Sequence, residues 1–283
     1  MEHRHLSCSN SVWNLPCKFL VASTCGFLTH AGRLTVPPIE PSVAANRLLE
    51  GLPYRSRKQF LSGCELVNLP LGAILAEPGK RIRHIYFPTN SYISLIARAD
   101  DHVALETGLI GDEGMLGISL ILGVDSSPLQ ALVQGAGPAL CMNASLFRRE
   151  FKRNLALQRE LKRYLFVVIA QLTQTVVCNH YHQIETRLAR WLLMMQDRAH
   201  SSEFHVTHEF LAYVLGVRRV GVTKAATALQ RHQLIHYKRG DITILDRAGL
   251  ENSACNCYGS DKAVYNRILT KDACPAVYTG PAK

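Results

Sequence analysis

The sequence lacks the residue patterns on which most enzymes depend. Its 283 residues contain no Ser/His/Asp set, no paired carboxylates and no P-loop at a useful spacing, so we expect no catalytic activity. No apolar run is expected to span a membrane, and the weakly signal-like stretch from Phe19 to Leu28 is interrupted by polar residues. We therefore expect a cytoplasmic protein with no membrane partner.

Cysteine occurs nine times but never as a CxxC pair, the commonest spacing in structural zinc sites. The positions are Cys8, Cys17, Cys25, Cys64, Cys141, Cys178, Cys255, Cys257 and Cys274. An odd number at irregular spacing predicts no disulfide framework, so we expect reduced thiols. The three N-terminal cysteines are spaced too widely and irregularly to predict an iron–sulfur cluster.

Two small groups of cysteine and histidine raise the hypothesis of a metal site. The first is Cys178, His180 and His182, to which His200, His205 and His208 could add further ligands, and the second is Cys255 and Cys257. The first group lies in a helical pattern that continues past His182, which would point its side chains in different directions. The second group has no further ligand at a useful spacing. We therefore predict no metal site and no cofactor, and a metal- or redox-sensing role for these residues is the alternative.

The chain is strongly basic. Lysine and arginine number 32 against 22 acidic residues, which gives a net charge of +10 and a pI near 9.3. A basic protein suits a polyanionic partner such as DNA, although a ribosomal or membrane-surface protein would also be basic. At 47% hydrophobic residues the chain has enough apolar side chains for two packed domains.

The stretch 207–245 carries the signals of a helix-turn-helix. Thr207 suits an N-cap, and apolar residues recur at helical spacing from about His208 to Leu215. Gly216 tolerates the positive φ at which a helix ends, and a second helix begins near Arg218. Only a short turn separates the two helices.

The second helix is predicted to bind double-stranded DNA. Its first turn is basic, and arginine at that position of a recognition helix can bond both acceptors of a guanine. Alternating residues around Arg239, Gly240 and Asp241 then predict a basic hairpin. An amphipathic helix pair with merely solvated charges would not require this order of segments. The predicted DNA contacts are Arg218, Arg219, Val220, Thr223, Lys224, Thr227, Lys238 and Arg239.

The N-terminal half is predicted to be a β domain with a preceding arm. Residues 1–43 end in the linker-like VPPIEPS and predict a poorly ordered extension, or a translated stretch upstream of the natural start. A short helical pattern follows from Ala44 to Leu61. Between Cys64 and Met142, short alternating apolar runs separated by turn residues predict a β-barrel or sandwich.

A long helix is predicted from Leu155 onward, after a shorter one that Asn143 can cap. Apolar residues step along it by three or four over several turns. They face either their own barrel or a second copy of the chain, and we favour the homodimer. The predicted dimer contacts are Leu161, Leu165, Val168, Leu172 and Val176.

These segments together resemble the Crp/Fnr superfamily of bacterial transcription regulators. The resemblance is carried by LGVRRVGVTKAATALQRHQLI, which looks like the family's turn and recognition helix, and by CN followed by ETRLARWLL, which recurs in one branch of the family. Arg219 falls where family members have a base-reading arginine, and Lys224 on a later basic contact position. Val220 departs from a glutamate of the pattern, so we expect a different operator.

The resemblance implies an α+β protein with a jelly-roll sensor domain of the cyclic-nucleotide-binding type, a long dimerisation helix and a winged helix-turn-helix. The predicted segments are the N-terminal extension 1–43, the sensor domain 44–150, the dimerisation helix 151–182, the DNA-binding domain 183–250 and the C-terminal helix and tail 251–283. It also implies a homodimer that binds an inverted-repeat operator and contacts RNA polymerase.

A cyclic nucleotide is not the expected effector. IGDEGMLGISLILG resembles the region where nucleotide-binding members hold the phosphate. If Gly117 matches the glycine of that region, Ile118 stands at its acidic position, and Pro128 and Leu129 replace its arginine and serine. A buried phosphate without a cation is costly, so we predict an unknown small-molecule effector other than cyclic AMP. The candidate effector pocket is Asp112, Glu113, Gly114 and Gly117, although turn and capping chemistry is a simpler role for the acidic pair.

Overall fold

The computed structural model describes residues 46–100 and 103–270. The extension predicted for residues 1–43 lies outside them, as do residues 271–283 of the predicted tail. The N-terminal half is a β domain with strands β1 (Glu65–Leu69), β2 (Ile74–Ala76), β3 (His84–Pro88), β4 (Tyr92–Asp100), β5 (Val103–Ile110), β6 (Gln130–Gly135) and β7 (Gly137–Asn143).

These strands form two antiparallel sheets, in the orders β1-β7-β3 and β2-β6-β4-β5. Side chains alternate between the two faces of each strand, so that the inward residues meet in one apolar layer. Ile93 and Val133, for example, are buried in a cluster that also contains Leu69 of the other sheet. The α+β class and the jelly roll predicted from the sequence are confirmed.

Short helices close the sheets. They are α1 (Arg47–Glu50), α2 (Tyr54–Leu61), a 3-10 helix (Ile118–Leu122) and α3 (Ala144–Arg153). The buried Asn46 caps α1 by accepting a hydrogen bond from the Leu49 amide, and its Nδ2 donates to the carbonyls of Pro88 (2.8 Å) and Gly114 (3.0 Å). One side chain therefore fixes the start of the domain to two of its loops.

Two long helices follow, α4 (Leu155–Tyr181) and α5 (Ile184–Ala199). Asn154 caps α4 through a hydrogen bond from the Leu157 amide, 3.0 Å long. The first half of α4 buries Leu157, Leu161 and Val167 completely in the core of the β domain. At about 1.5–3 kcal/mol for each fully buried large apolar side chain, this contact is a major source of stability.

The predicted dimer stripe on α4 needs correction. Leu161 is 0% exposed and lies in the core of its own chain, so it cannot contact a partner. Leu165 and Val168 are half-buried. The sequence pattern merges two faces of the helix because α4 is apolar on both sides. The exposed apolar residues form a neighbouring stripe: Phe166, Ile169, Leu172 and Val176.

By length and composition alone, α4 would also qualify as a membrane span, contrary to the expectation from the sequence. Its most apolar window has a mean hydropathy of 1.2 and is 22% buried within the chain. This is weak evidence for a membrane, because a soluble helix with one face in the core and one face against a partner has the same composition.

The C-terminal domain contains β8 (Glu203–His205), α6 (His208–Leu215), α7 (Arg219–Arg231), β9 (Ile235–Lys238), β10 (Asp241–Ile244), α8 (Arg247–Ser253) and α9 (Cys257–Leu269). The strands form one antiparallel sheet in the order β8-β10-β9. The sequence predicted one helix after the hairpin, but extended backbone at Ala254 divides it into α8 and α9. Helix α9 packs along α4, and its Leu269 reaches the core of the β domain.

A buried carboxyl joins the β domain to α5. Glu106 on β5 accepts hydrogen bonds from the Ser94 hydroxyl and from Nε1 of Trp191 on α5, the latter 2.7 Å long. Burial raises the pKa of Glu106 from 4.5 to about 7, although both hydrogen bonds and the charges of Arg198 and Arg190 favour the ionised form. The carboxyl therefore titrates near neutral pH.

The raised pKa predicts a pH-dependent stability. Between pH 4.5 and about 7, the folded protein holds a proton on Glu106 that the unfolded chain has lost, so the free energy of unfolding should fall as pH rises through this window. Glu106→Gln keeps a neutral group there and should remove roughly 1–3 kcal/mol of this fall. Denaturant unfolding at several pH values measures it. The control is Glu65→Gln at an exposed position of β1, and a parallel pH dependence in wild type and Glu106→Gln would contradict the prediction.

Candidate nucleic-acid interface

Helix α6 begins and ends where the sequence predicted. The Thr207 hydroxyl accepts a hydrogen bond from the Phe210 amide, 3.1 Å long, which caps the helix. Gly216 has a φ of 62° and ends it, and the Val217 amide donates back to the Ala212 carbonyl at 3.0 Å. This glycine turn directs the chain into α7 without a loop.

Helix α7 begins at Arg219, with Arg218 in the extended N-cap position. One of its faces is buried in the domain core through Val222, Ala225, Ala226 and Leu229. The turn before it is also fixed to α5, because the buried Arg187 guanidinium donates to the Leu215 carbonyl. The orientation of α7 is therefore set by packing on one side and by the turn at its start.

The opposite face of α7 is exposed and cationic. It presents every residue predicted from this helix and its cap: Arg218, Arg219, Val220, Thr223, Lys224 and Thr227. Val220 is 65% exposed, unusually open for a β-branched apolar residue. Helix α7 contains no acidic residue, so nothing on it would repel a polyanion. The Thr223 hydroxyl donates to the Arg219 carbonyl at 3.1 Å and lies 3.2 Å from Nδ1 of His208.

The hairpin after α7 is held against the helices. Tyr237 stacks on His208 with ring centroids 4.2 Å apart and an interplanar angle of 10°, and its amide donates to Gln230 of α7 at 2.9 Å. Burial, followed by the charge of Arg219, lowers the pKa of His208 below 6.5. The ring is therefore neutral at neutral pH and adds no charge to the stack.

The tip of the hairpin is a two-residue turn formed by Arg239 and Gly240, with φ values of 54° and 95°. Two successive positive φ angles are the signature of a type I′ turn, which matches the twist of the flanking strands. Arg239 and the adjacent Lys238 are both exposed there. The two predicted contacts of the hairpin thus lie together at its exposed tip.

A domain comparison agrees with this geometry. Residues 186–253 match the model of the Crp-like helix-turn-helix domain. The C-terminal domain is therefore similar to Crp-like helix-turn-helix domains. The match runs from the first turn of α5 to the end of α8 and includes both the exposed face of α7 and the hairpin.

Solved structures of Crp/Fnr regulators share the fold over about 70% of this chain. A putative Crp/Fnr regulator from Eubacterium rectale has a TM-score of 0.59 at 17% identity, covering 73% of this chain and 96% of its own. FixK2 from Bradyrhizobium japonicum gives 0.59 at 13% identity, covering 68% and 98%. The c-di-GMP responsive regulator CLP from Xanthomonas campestris gives 0.57 at 16% identity, covering 69% and 100%. No curated protein is similar enough in sequence to count as a relative.

These findings confirm the resemblance to Crp/Fnr regulators that the sequence predicted. At such low identities the structural matches establish the fold alone. The domain match adds the helix-turn-helix by sequence as well. Together they describe a Crp/Fnr-type architecture with a helix-turn-helix domain in its C-terminal part.

The residues of the predicted effector pocket lie together but are engaged in ion pairs. Asp112 pairs with Arg47 at 2.8 Å and lies 3.4 Å from His200, and Glu113 pairs with Arg198 of α5 at 2.7 Å. The acidic pair thus ties the loop after β5 to α1 and α5.

The two glycines of the predicted pocket serve packing. A Cβ at Gly114 would collide with the Tyr164 hydroxyl, and Gly117 has a φ of 102° at a turn that passes over Ile85. Glu113 also borders a polar cleft of about 440 Å³, whose other walls come from α1, α4, α5, α8 and α9. The prediction of an effector site here stays a prediction.

One cluster of cysteine and histidine departs from the helical geometry predicted from the sequence, whereas the prediction that no metal binds there stays a prediction. The helical pattern that seemed continuous past His182 is broken, because α4 ends at Tyr181 and α5 begins at Ile184. The break, with the packing of α9 on α4, brings Cys178 and His182 together with Cys255 and Cys257. The third candidate of the first group, His180, is exposed and packs edge-to-face against Tyr181. The spacings of four between cysteine and histidine and of two between the later cysteines were the signal in the sequence, but only the fold pairs them.

Proposed function

We propose that the protein is a homodimeric, sequence-specific transcription regulator that reads an inverted-repeat operator with α7. The observation that carries this proposal is the exposed, cationic and acid-free face of α7 within a Crp-like helix-turn-helix domain. A recognition helix needs such a face, because it enters the major groove between two rows of phosphates.

The exposed residues divide by their chemistry. Arg219 in the first turn is placed to bond guanine in the groove, and Val220 offers an apolar contact to a thymine methyl group. Thr223, Lys224 and Thr227 continue the same face toward bases or phosphates. Lys238 and Arg239 at the hairpin tip are point charges suited to the phosphate backbone, which sets register without reading sequence.

A second copy of the chain is the proposed partner of the exposed stripe on α4. Phe166, Ile169, Leu172 and Val176 step by three or four along the helix, and Ile169 is 54% exposed. A parallel pair of α4 helices around a twofold axis would cover both stripes. It would also present two copies of α7, and an inverted repeat one helical turn apart, about 34 Å, fits such a pair.

Regulation would act through the contacts between the β domain and α5. Glu113 forms an ion pair with Arg198, and Glu106 accepts a hydrogen bond from Trp191. A movement of β5 or of the loop after it would therefore displace α5 and the C-terminal domain that packs on α5. An effector shifts DNA affinity only if it binds one arrangement of these domains better than another. We further propose a cytoplasmic location, contact with RNA polymerase and no enzymatic activity.

A metal-dependent regulator is the second candidate. It is favoured by the cluster of Cys178, His182, Cys255 and Cys257, whose ligand atoms lie within 4.8 Å of one another. This candidate does not replace DNA binding, because none of these residues lies on the exposed face of α7. It concerns the signal to which the regulator responds.

The first test separates base reading from phosphate contact. An operator is first selected from a random DNA pool, and binding is then measured on that operator and on random DNA at several salt concentrations. Arg219→Ala should cost about 1–3 kcal/mol on the operator and much less on random DNA, because it removes a base contact. Lys238→Ala should weaken binding to both and reduce the slope of log K against log salt by about 1.

Lys58→Ala is the matched control, since it removes one exposed charge from α2 on the β domain. It should change neither the preference nor the salt slope. Equal losses on operator and random DNA for Arg219→Ala would show that α7 touches only phosphates. An operator without twofold symmetry would contradict the proposed dimeric reading.

The second test concerns the dimer. Ile169→Asp places a charge in the centre of the exposed stripe and should convert the dimer to a monomer at micromolar concentration, measured by analytical ultracentrifugation, with the circular dichroism spectrum unchanged. Leu71→Asp is the control, because Leu71 is equally apolar and 68% exposed but lies in the turn between β1 and β2. A monomeric unmutated protein, or a dimeric Ile169→Asp variant, would overturn the assignment.

The third test concerns the effector. Isothermal titration with cyclic AMP and cyclic GMP should show no binding at micromolar concentrations, because Ile118, Pro128 and Leu129 provide neither the acidic group nor the cation that a cyclic nucleotide needs. A dissociation constant in the micromolar range for either nucleotide would contradict the expectation.

A further inference from the structure

Three cysteines and one histidine meet where α4 ends. Cys178 lies in the last turn of α4, His182 is the residue that caps it, and Cys255 and Cys257 flank the start of α9. Their three Sγ atoms and one imidazole nitrogen all lie within 4.8 Å of one another. The Sγ atoms of Cys178 and Cys255 are 3.5 Å apart, and Cys257 Sγ is 3.4 Å from His182 Nδ1.

These spacings match a single tetrahedral zinc ion. With Zn–S bonds of about 2.3 Å and Zn–N bonds of about 2.0–2.1 Å, the ligand atoms lie about 3.8 Å apart for two sulfurs and about 3.6 Å apart for sulfur and nitrogen. The Cys178–Cys255 and Cys257–His182 distances given above are both within about 0.3 Å of these values. We propose that Cys178, His182, Cys255 and Cys257 form a site of three thiolates and one imidazole for one Zn²⁺ ion.

The donor set decides the class of metal. Thiolates and imidazole favour zinc and other borderline or soft ions, whereas magnesium and calcium take oxygen ligands. A polynuclear iron–sulfur cluster would need its ligand atoms further apart, because several metal atoms and sulfides lie between them. Four ligands within 4.8 Å enclose one ion and leave no open coordination position, as in structural sites.

The surroundings suit an anionic metal centre. Three thiolates and one neutral histidine around Zn²⁺ carry a net charge of −1. The buried guanidinium groups of Arg187 and Arg190 interact electrostatically with Cys178. The Nε atoms of both arginines are buried and have no hydrogen-bond partner in the described part of the chain. Such donors are unusual in a protein interior. Arg190 is already paired with Asp261 at 2.7 Å, whereas Arg187 has no ion pair among the described residues, so a thiolate centre would mainly compensate the charge of Arg187.

A second shell of hydrogen bonds is also present. Gln174 Nε2 donates to Cys257 Sγ at 3.0 Å, which orients that sulfur.

The bound ion would join two distant parts of the chain. Cys178 and Cys255 are 77 residues apart, and the metal would tie the joint between α4 and α5 to the segment between α8 and α9. Because a preformed site does not exist in the unfolded chain, zinc binding would add to folding stability. The site would hold α9 along α4 at the point where the DNA-binding domain leaves the proposed dimer helix.

Metal content tests the proposal directly. Protein purified under reducing conditions should hold about one zinc ion per chain by mass spectrometry of metals, and Cys255→Ser and Cys257→Ser should each reduce it to background. Cys64→Ser and Cys141→Ser are matched controls, since both cysteines lie in the β domain outside the cluster, and they should keep the zinc. His182→Cys should retain zinc in an all-thiolate set, whereas His182→Ala should lose it.

A second measurement covers the case in which the variants fail to fold. The unmutated protein, stripped of metal by a chelator and titrated with Co²⁺, should develop the visible absorption and thiolate charge-transfer band of a tetrahedral site, and Zn²⁺ should displace it. Its melting temperature should fall with the chelator and recover with zinc. Neither readout involves DNA, so their failure would remove the metal-dependent candidate but leave the proposed DNA binding and dimerisation untouched.

Four results would overturn the site. They are the absence of zinc from folded reduced protein together with no tetrahedral cobalt spectrum, zinc that survives in the Cys255→Ser and Cys257→Ser variants, iron with inorganic sulfide in place of zinc, and a disulfide between Cys178 and Cys255 in reduced, metal-supplemented protein.

Discussion

The packing of α4 against the β domain is the interaction on which the rest of the structure depends. Leu157, Leu161 and Val167 are fully buried there, and this burial orients the whole 27-residue helix. The segments C-terminal to α4 are positioned by it, because α5 follows after a short break at its C-terminal end and α9 packs along its side. The same contact also decides which face remains exposed for a second copy, since a rigid helix with one face in a core presents the opposite face to solvent.

The β domain and the DNA-binding domain share one continuous core rather than a flexible linker. Tyr92 and Leu109 of the β domain are buried in the same cluster as Leu188 and Leu192 of α5 and the core of the helix-turn-helix. Glu106 and Glu113 add polar contacts to α5 from neighbouring parts of the β domain. A displacement of α5 therefore cannot occur without repacking apolar side chains, and packed cores favour two discrete arrangements over continuous deformation.

The parts that the sequence predicted well are those whose signals are local. Thr207 marks the start of α6 and Gly216 its end, because an N-cap and a left-handed glycine each act within one turn of the helix terminus where they lie. The two faces of α4 could not be separated, since apolar residues on both sides satisfy the same spacing and only the position of the barrel assigns Leu161 to the core. The cysteine cluster was missed for a stronger reason. Its halves are brought together by the break at His182 and by the packing of α9 on α4, and the spacing within either half does not reveal that tertiary contact.

The position of that cluster limits how the DNA-binding domain can move. The C-terminal segment belongs to both halves of the molecule, because Leu250 and Tyr258 lie in the core of the DNA-binding domain while Leu269 lies in the core of the β domain. A rotation at the joint between α4 and α5 would separate Cys255 and Cys257 from Cys178 unless its axis passed close to them. With the four ligands held by one ion, the axis of any such rotation would run through the metal site. The short link at His182 and the start of α9 would then turn together, and α7 would move as part of one rigid body.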